Sequence, residues 1–208
     1  MAAAEIELTD WRRRVSELYA AVRALADPEA GHAIWRDGRD RLFREHRQSP
    51  LPVGDPLRQT GLPCWPYDPA VRFEIEVWLA EGINDADDAR LEIPTGGGEV
   101  TALRRIGRVT LPAPFAADLD VWWMDQYAGG LFVPIRDASA GDTSYGGGRY
   151  LLDTAKGADL GPGRGPDTIV VDLNFAYHPS CRYNPAWVCP LAPPGNTITA
   201  PVLAGERL

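Results

Sequence analysis

Hydrophobic side chains in the first 50 residues recur at the spacing of two amphipathic helices. The first apolar stripe consists of Trp11, Val15, Leu18, Val22 and Leu25. Their separations of three and four positions predict a helix with one apolar face, and Thr9 or Asp10 is a suitable cap for its start. Asp27-Pro28 predicts the start of a second helix, because Asp is a favourable N-cap and Pro fits the first helical position. This second helix is expected to end near Ser49-Pro50.

The pattern changes after residue 50. Prolines lie at positions 52, 56, 63, 66 and 69. They are too frequent for regular structure, so residues 51–70 are predicted to form an extended connector. Its Leu62, Trp65 and Tyr67 are expected to hold it against the core. Apolar residues then alternate with more polar ones over residues 71–79, which predicts a half-buried strand.

Further segments of strand-like sequence follow, separated by turn residues. They are residues 89–93, 99–111, 119–124, 130–136, 148–153, 167–177 and 196–204. No helical pattern interrupts them, so we expect an antiparallel sheet rather than parallel crossover units. The predicted fold class is α+β, mainly β, with two N-terminal helices packed on an antiparallel β-barrel or curved β-sandwich of about eight strands. We expect a single domain over residues 1–208, in which residues 1–50 form a helical appendage and residues 71–208 form the β body.

Composition and charge exclude several classes of protein. The chain has 208 residues and a formal net charge of −8. Its first 50 residues contain as many arginines as acidic residues, so the negative excess lies in the β body. Nucleic-acid binding depends largely on neutralising phosphates with Lys and Arg, so we expect no DNA or RNA partner. The sequence has no apolar run long enough to span a membrane and no secretory signal pattern, so we expect a cytoplasmic protein with reduced cysteines.

Two arginines flank a short glycine-rich connection in the β body. Arg136 ends one predicted strand and Arg149 begins the next, so a hairpin would bring both to the same rim. Guanidinium groups offer paired donors that suit a carboxylate or phosphate, so the pair predicts a site for a small anionic or polar metabolite. Asp137 and Asp142 are alternative, internal partners for these charges. Pro134 inside the first of the two strands predicts an edge strand or a bulge.

Polar residues also share one face of the predicted strand over residues 167–177. Asp172, Asn174 and, by extension, His178 lie on that face. A carboxylate, an amide and an imidazole in this arrangement can act as an orienting group, a donor and a base. The alternative interpretation is a solvent-facing surface that is polar because water covers it. An enzyme of hydrolase or lyase type would use Asp137 or Asp172 as its base.

The cysteines lie near a histidine. His178, Cys181 and Cys189 fall within twelve residues, and these residue types suit zinc. The usual Cys-x2-Cys pair is missing, and a fourth ligand would have to come from a distant part of the sequence. A permanent Cys181–Cys189 disulfide is opposed by the expected cytoplasmic location. We therefore expect no metal and no cofactor, and predict two free thiols packed under a proline-rich loop.

A series of short motifs follows in order from residue 35 onward. They are Trp35-Arg36-Asp37-x2-Asp40, Ser49-Pro50-Leu51-Pro52, Gly61-Leu62, Arg136-Asp137-Ala138, Tyr145-Gly146-Gly147-Gly148-Arg149-Tyr150-Leu151, Asp172-Leu173-Asn174, Tyr177-His178-Pro179-x-Cys181, Cys189-Pro190-Leu191 and Ala204-Gly205-Glu206. In these motifs the chain resembles the bacterial and archaeal family called domain of unknown function 1684.

The resemblance implies which polar residues recur in the family, but it implies no activity. The polar residues that recur in the family pattern are Arg136, Asp137, Tyr145, Arg149, Tyr150, Asn174, Tyr177, Cys181, Cys189 and Glu206. Many members look as if they carry Asn where this chain has His178. That departure makes His178 a poor choice for an indispensable base or metal ligand.

Three functions remain open from the sequence. The favoured one is a small-molecule-binding β module whose polar or anionic ligand is held by Arg136, Tyr145, Arg149, Tyr150, Asn174 and Tyr177. Trp122, Trp123 and Phe132 are the candidates for its apolar wall. The alternatives are the hydrolase-type or lyase-type enzyme and a structural or partner-binding scaffold. A deep pocket containing Arg136, Arg149 and Asn174 would favour the first two functions, whereas burial of all three in side-chain pairs would favour the scaffold.

Overall fold

The computed structural model describes residues 2–79, 90–94 and 100–208. Within these residues the helices are α1 (Ala2–Arg23), α2 (Pro28–Glu45) and α3 (Leu57–Thr60). Asp27 caps α2 as predicted, because its carboxylate accepts a hydrogen bond from the Glu29 amide at 3.0 Å. α1 begins earlier than predicted, since the Ala-rich and Glu-rich residues before Thr9 are good helix formers. α3 lies within the stretch that was predicted to be extended.

Nine strands lie in the described part of the chain. They are β1 (Arg72–Glu76), β2 (Trp78–Leu79), β3 (Arg90–Pro94), β4 (Val100–Leu111), β5 (Ala117–Met124), β6 (Leu131–Asp137), β7 (Arg149–Asp153), β8 (Thr168–Asp172) and β9 (Thr197–Ile198). A seven-stranded sheet has the order β2-β4-β5-β6-β7, with β3 beside β4 and β9 beside β6, while β1 and β8 form a separate two-stranded sheet. The fold is therefore mixed α and β, as the sequence predicts.

Two features of the predicted sheet need correction. The seven-stranded sheet is open and does not close into a barrel. Its β6–β9 pair is parallel, whereas the other pairs are antiparallel. Of the two alternatives predicted for Pro134, an edge strand or a bulge, the structure has the bulge. The register of β6 against β7 shifts between Val133 and Pro134. A proline cannot donate a ladder hydrogen bond, so a bulge accommodates it inside a paired strand.

Two predicted strands are shorter than their alternating patterns. The strand over residues 71–79 divides at Val77, where the chain leaves the two-stranded sheet and enters the seven-stranded one. The strand over residues 167–177 ends at Asp172, and a 3-10 helix, Leu173–Phe175, follows. The Asp172 carboxylate caps that helix by accepting the Asn174 amide at 3.0 Å. A short polar side chain that bonds the local backbone competes with the sheet ladder, and here it ends the strand.

The helix pair packs on the β body through aromatic side chains. Tyr19 of α1 and Trp35 of α2 are buried together with Phe175, and the rings of Trp35 and Phe175 lie 5.1 Å apart. The Trp35 Nε1–H group donates a hydrogen bond to the Tyr19 hydroxyl oxygen at 3.0 Å. The apolar faces of both helices thus complete the core of the sheet. None of the helices in the described residues is long and apolar enough to cross a membrane.

Candidate ligand-binding cavity

A small cavity lies where α1, α2 and the β body meet. Its volume is about 60 Å³, and we call it the central cavity. Among the side chains that line it are Tyr19, Arg39, Tyr150, Lys156, Tyr177 and Ser180. The helices supply the first two and the β body supplies the others, so the cavity exists only when the helix pair is docked.

Two buried tyrosines give the cavity hydrogen-bond donors without acceptors. The Tyr19 oxygen accepts the Trp35 indole N–H, but no hydrogen bond among the described residues uses the Tyr19 hydroxyl proton. The hydroxyl group of Tyr177 takes part in no hydrogen bond among the same residues. Tyr19 is 3% exposed and Tyr177 is 9% exposed. Burial raises the pKa of both groups well above the usual value, so both remain protonated donors at neutral pH.

Lys156 brings a positive charge to the same cavity. The 3-10 helix Thr154–Lys156 follows β7 directly and places the Lys156 ammonium 2.9 Å from Oδ2 of Asp153. Burial lowers the pKa of Lys156, but the Asp153 carboxylate outweighs it and the pKa is raised, so the lysine stays charged. The Asp153 side chain is fully buried, and the Lys156 ammonium is the ion-pair partner of its Oδ2 atom.

An ion pair between α2 and the C-terminal segment forms another wall. The Arg39 guanidinium donates to both carboxylate oxygens of Glu206 and lies 4.7 Å from the ring centre of Tyr177. Glu206 also accepts the His178 amide at 2.7 Å and the Tyr183 hydroxyl at 3.0 Å. Burial would raise the pKa of Glu206, but Arg39 outweighs this and the pKa is lowered. Arg39 is thus neutralised by Glu206 and has the role of positioning the Tyr177 ring.

Of the six predicted ligand-binding residues, the structure brings Tyr150 and Tyr177 to the central cavity. Their rings meet edge to face at 5.6 Å, and the Tyr150 hydroxyl donates to the Pro190 carbonyl. Tyr145 lies behind the cavity wall. Its hydroxyl is 3.9 Å from the Cys181 sulfur, and its amide donates to the ring of His178.

The two arginines of the predicted anion site are separated. Arg136 and Asp137 are neighbours on β6 and therefore face opposite sides of the sheet. Arg136 is exposed and donates to the Gly146 carbonyl. Arg149 is 1% exposed and bonds Asp137 and the carbonyls of Val202, Ala204 and Glu206. The expectation that both arginines meet at one rim is therefore corrected, since the Asp137–Arg149 pair is part of the protein interior.

Asn174 also serves the fold. Its side chain forms two hydrogen bonds with the backbone of Asp68 in the connector. The amide oxygen accepts the Asp68 N–H at 2.9 Å, and the amide nitrogen donates to the Asp68 carbonyl at 2.8 Å. The same side chain donates to Asp172. The predicted polar face of Asp172, Asn174 and His178 is not solvent-covered, because all three residues are buried.

Neither candidate base opens onto the central cavity. Burial raises the pKa of Asp137, but Arg149 and the amides of Ser139 and Val202 outweigh this, so the pKa is held below its usual range. Burial raises the pKa of Asp172 to about 6, partly offset by hydrogen bonds from Asn174. Asp172 is 2% exposed and does not line the central cavity. The predicted apolar wall is also not part of the central cavity, because Trp122 and Phe132 are buried in the core.

His178 lines the central cavity, and burial keeps its imidazole and the thiol of Cys181 uncharged at neutral pH. The His178 Nε2 atom accepts the Tyr145 amide at 3.1 Å, and burial lowers the pKa of this histidine to about 4. Burial, followed by the nearby Cys189 thiol, raises the pKa of Cys181 to about 11. All three cysteines are free. Within residues 2–79, 90–94 and 100–208, no group of three or more His, Cys, Asp or Glu side chains is placed to hold a metal ion.

Sequence reasoning missed Tyr19, Arg39 and Lys156. Arg39 has a detectable signal, because it lies four residues from both Trp35 and Phe43 and is therefore a charge within the apolar stripe of α2. Tyr19 continues the stripe of α1, and Lys156 is the sole lysine of the chain. Their convergence on one cavity has no sequence signal, because it depends on how the helices dock.

Two larger cavities adjoin the central one. The first has a volume of about 190 Å³ and shares Trp11, Arg12, Lys156 and Ser180 with it. We call it the side cavity. The second has a volume of about 450 Å³ and shares Arg12 and Lys156. We call it the outer cavity. Arg12 and Lys156 therefore lie where the three cavities meet.

Comparisons with known proteins identify the family of the chain. The model of a family described as "Protein of unknown function (DUF1684)" matches residues 58–207. The chain belongs to this family. A search of curated proteins found no match. Among solved structures, the DUF1684 chain is similar to an uncharacterized protein of Haloarcula marismortui determined by solution NMR. The two sequences are 32% identical over 86% of this chain and 94% of that chain, with a TM-score of 0.59.

The matched family region covers only part of the cavity. It includes Lys156, Tyr177 and Glu206, whereas Tyr19 and Arg39 precede it. The family description and the name of the similar structure state no activity.

Proposed function

We propose that this DUF1684 protein binds a small molecule through an acidic group that enters the central cavity. The observation that supports this most strongly is the pair of buried hydroxyl protons, on Tyr19 and Tyr177, that face the cavity without an acceptor. An acidic group that enters the cavity can accept hydrogen bonds from both hydroxyl groups, and such bonds to a charged acceptor are stronger than those to a neutral one. The Ser180 hydroxyl is a third donor without a partner among the described residues.

The charges around the cavity favour an anion over a neutral acceptor. Glu206 neutralises Arg39, and Asp153 neutralises Lys156. Arg12 remains, and in the described part of the chain it has no ion pair. It lies close enough to Lys156 for its charge to oppose that of the lysine. An anionic group between the two cations would relieve this repulsion and accept charge-assisted hydrogen bonds.

The size of the cavity limits what can enter it. A volume of about 60 Å³ is more than the roughly 10–15 Å³ that one water needs in a cavity. The central cavity is smaller than the two cavities that adjoin it, so it suits a carboxylate group better than the body of a metabolite. The proposed site therefore recognises the acidic end of a ligand, and the remainder of the ligand lies in an adjoining cavity.

Binding is favoured over hydrolytic or lyase chemistry. Asp137 and Asp172 do not line the cavity, and the raised pKa of Cys181 makes a thiolate nucleophile scarce at neutral pH. The burial of Arg149 and Asn174 in internal bonds is the arrangement expected of a scaffold for these two residues. The partner-binding scaffold is accordingly the alternative that a negative ligand experiment would support.

The test is a thermal-shift titration with sodium acetate at pH 7, compared with sodium chloride at equal ionic strength. At about ten times the Kd, one-site binding stabilises the protein by about 1.4 kcal/mol, or roughly 3–5 °C for a chain of this length. Tyr177→Phe keeps the ring and removes only the hydroxyl, so it should stay folded and lose most of the shift. Lys156→Gln should weaken binding because it removes the cation.

Two control variants make the result specific. Tyr67→Phe removes a hydroxyl that lies outside the central cavity, and Arg136→Gln removes an exposed cation on β6. Both should keep the full acetate shift. An equal shift in wild type and Tyr177→Phe, or loss of the shift in Arg136→Gln, would overturn the assignment of the central cavity.

A further inference from the structure

We infer that the ligand is a carboxylate attached to a benzene-sized ring, with the carboxylate in the central cavity and the ring in the side cavity. This inference rests on the proposed function, because it needs the acidic group to be anchored beside Tyr177 and Lys156. It adds the chemical class of the rest of the molecule.

The side cavity borders the central one, and apolar side chains form much of its wall. Its shared residues, Trp11, Arg12, Lys156 and Ser180, form the junction between the two. The apolar residues of its wall are Leu8, Trp11, Trp187, Val188 and Pro190. A ligand whose acidic group reaches the central cavity past Lys156 can place its next atoms against this wall.

The volume and the aromatic side chains favour a ring. The side cavity measures about 190 Å³, and an apolar cavity of about 150 Å³ is already large enough to bind benzene. Trp11 comes from α1 and Trp187 from the segment after the 3-10 helix Ser180–Arg182, so indoles from two separate elements line one space. Aromatic pairs gain from offset or edge-to-face contact beyond the area that they bury. A flexible chain would gain only the burial.

Trp11 is held in place without a ligand. Its ring packs against Phe43 at 5.6 Å and edge-on against His46 at 5.3 Å. A rotamer that is already fixed costs little entropy on binding, so this side of the side cavity is preorganised. The outer cavity is less suitable for the ring, because it shares only Arg12 and Lys156 with the central cavity and is lined by polar Thr101, Gln126 and Thr154.

Isothermal titration with a series of acids tests the inference. The probes are acetate for the carboxylate alone, hexanoate for an aliphatic chain, and benzoate and phenylacetate for a ring. We expect benzoate or phenylacetate to bind at least tenfold more tightly than acetate and more tightly than hexanoate. Tyr177→Phe should weaken both acetate and the ring acids, because it acts on the shared carboxylate.

Variants of the side cavity separate the two proposals. Trp187→Ala should reduce the ratio of ring-acid to acetate affinity to near one, and Trp78→Ala, at a 62% exposed tryptophan of β2 outside the cavities, should leave it unchanged. Val188 is 49% exposed, so Val188→Asp should fold, and a polar side chain in the apolar wall should lower the ratio of ring-acid to acetate affinity. If Trp187→Ala is unstable, Val188→Asp tests the ring inference in its place.

The outcomes are distinguishable. If acetate and the ring acids bind equally, or if hexanoate binds as tightly as the ring acids, the ring inference is overturned while the proposed function stands. If none of the four acids binds, both proposals fail.

Discussion

Arg39 and Glu206 are 167 positions apart in the sequence and form a buried, two-pronged ion pair. The side chain of Glu206 is 1% exposed and that of Arg39 is 13% exposed. The pair joins α2 to the C-terminal segment, and through the stacked Tyr177 ring it forms one wall of the central cavity. Docking of the helix pair and formation of the candidate site are therefore the same structural event.

Breaking this pair should be strongly destabilising. Arg39→Met removes one partner and leaves the Glu206 charge buried, which typically costs about 3–5 kcal/mol. Arg39→Lys should also destabilise, since an ammonium cannot replace the fork of a guanidinium. Urea denaturation measures both. The control is Arg47→Gln, because Arg47 pairs with Glu7 at an 83% exposed side chain and such pairs contribute about 1 kcal/mol or less. Similar losses for Arg39 and Arg47 variants would contradict the interpretation.

Stability should fall as the pH falls from about 6.5 to 4. Burial lowers the pKa of His32 and of His178 to about 4, so between this value and the unfolded pKa of about 6.5 the unfolded chain binds more protons. Each histidine contributes about 3 kcal/mol that is present above pH 6.5 and lost toward pH 4. Burial raises the pKa of Asp172 and of Asp40, so these two carboxyl groups act in the opposite direction and offset part of the loss.

Urea titrations between pH 4.5 and 7.5 check this pH dependence. His178→Gln should reduce the slope, because its amide oxygen can replace Nε2 as the acceptor of the Tyr145 amide without titrating. A stability profile that is flat, or that rises toward pH 4.5, would show that these histidines are not buried in the neutral form.

The two aspartates that the sequence nominates as bases should respond oppositely to Asn substitution. Asp137→Asn breaks the buried pair with Arg149 and should cost about 3–5 kcal/mol. Asp172→Asn keeps an acceptor for Asn174 and removes a charge whose folded pKa is about 6. It should therefore stabilise the protein at pH 7 by up to about 3 kcal/mol, a gain that shrinks as the pH approaches 4. Thermal denaturation at pH 5 and pH 7 compares them, and a stabilising Asp137→Asn would refute the first half.

The glycine run before β7 contains one essential and one replaceable position. Gly148 has a φ of 86°, and a Cβ atom there would lie 2.2 Å from the Ile135 carbonyl oxygen. Gly148→Ala should therefore cost at least about 2 kcal/mol. A Cβ atom on Gly146 would meet nothing closer than 3.8 Å, so Gly146→Ala should stay within about 1 kcal/mol of wild type. Equal effects of the two substitutions in urea denaturation would contradict this.

Residues 1–50 are expected not to fold when they are expressed alone. Tyr19 and Trp35 are buried in a cluster that includes Phe132, Tyr150 and Phe175 of the β body, so an isolated helix pair would expose this face to water. Dispersed amide resonances and cooperative unfolding of the fragment would contradict the view that these residues are an appendage.

The sequence by itself determined the elements whose signals are local. Asp27-Pro28 marks the start of α2, alternation marks most strands, and Pro134 marks the bulge of β6, because caps, pleats and missing donors act over a few residues. The family could also be recognised, since its motifs are contiguous. Within the site, Tyr150 and Tyr177 were found because they belong to those motifs.

Only the tertiary structure decided which polar groups are available to a ligand. Periodicity shows which side of a strand is apolar, but it does not show what covers the other side. Arg149, Asn174 and Asp172 looked accessible in sequence and are buried by partners that fold back from distant segments. Arg39 and Lys156 gained their positions from contacts across helix and sheet. The free energy that allows a charge or an amide to be buried comes from those long-range partners, so the arrangement of the candidate site follows from docking rather than from any local pattern.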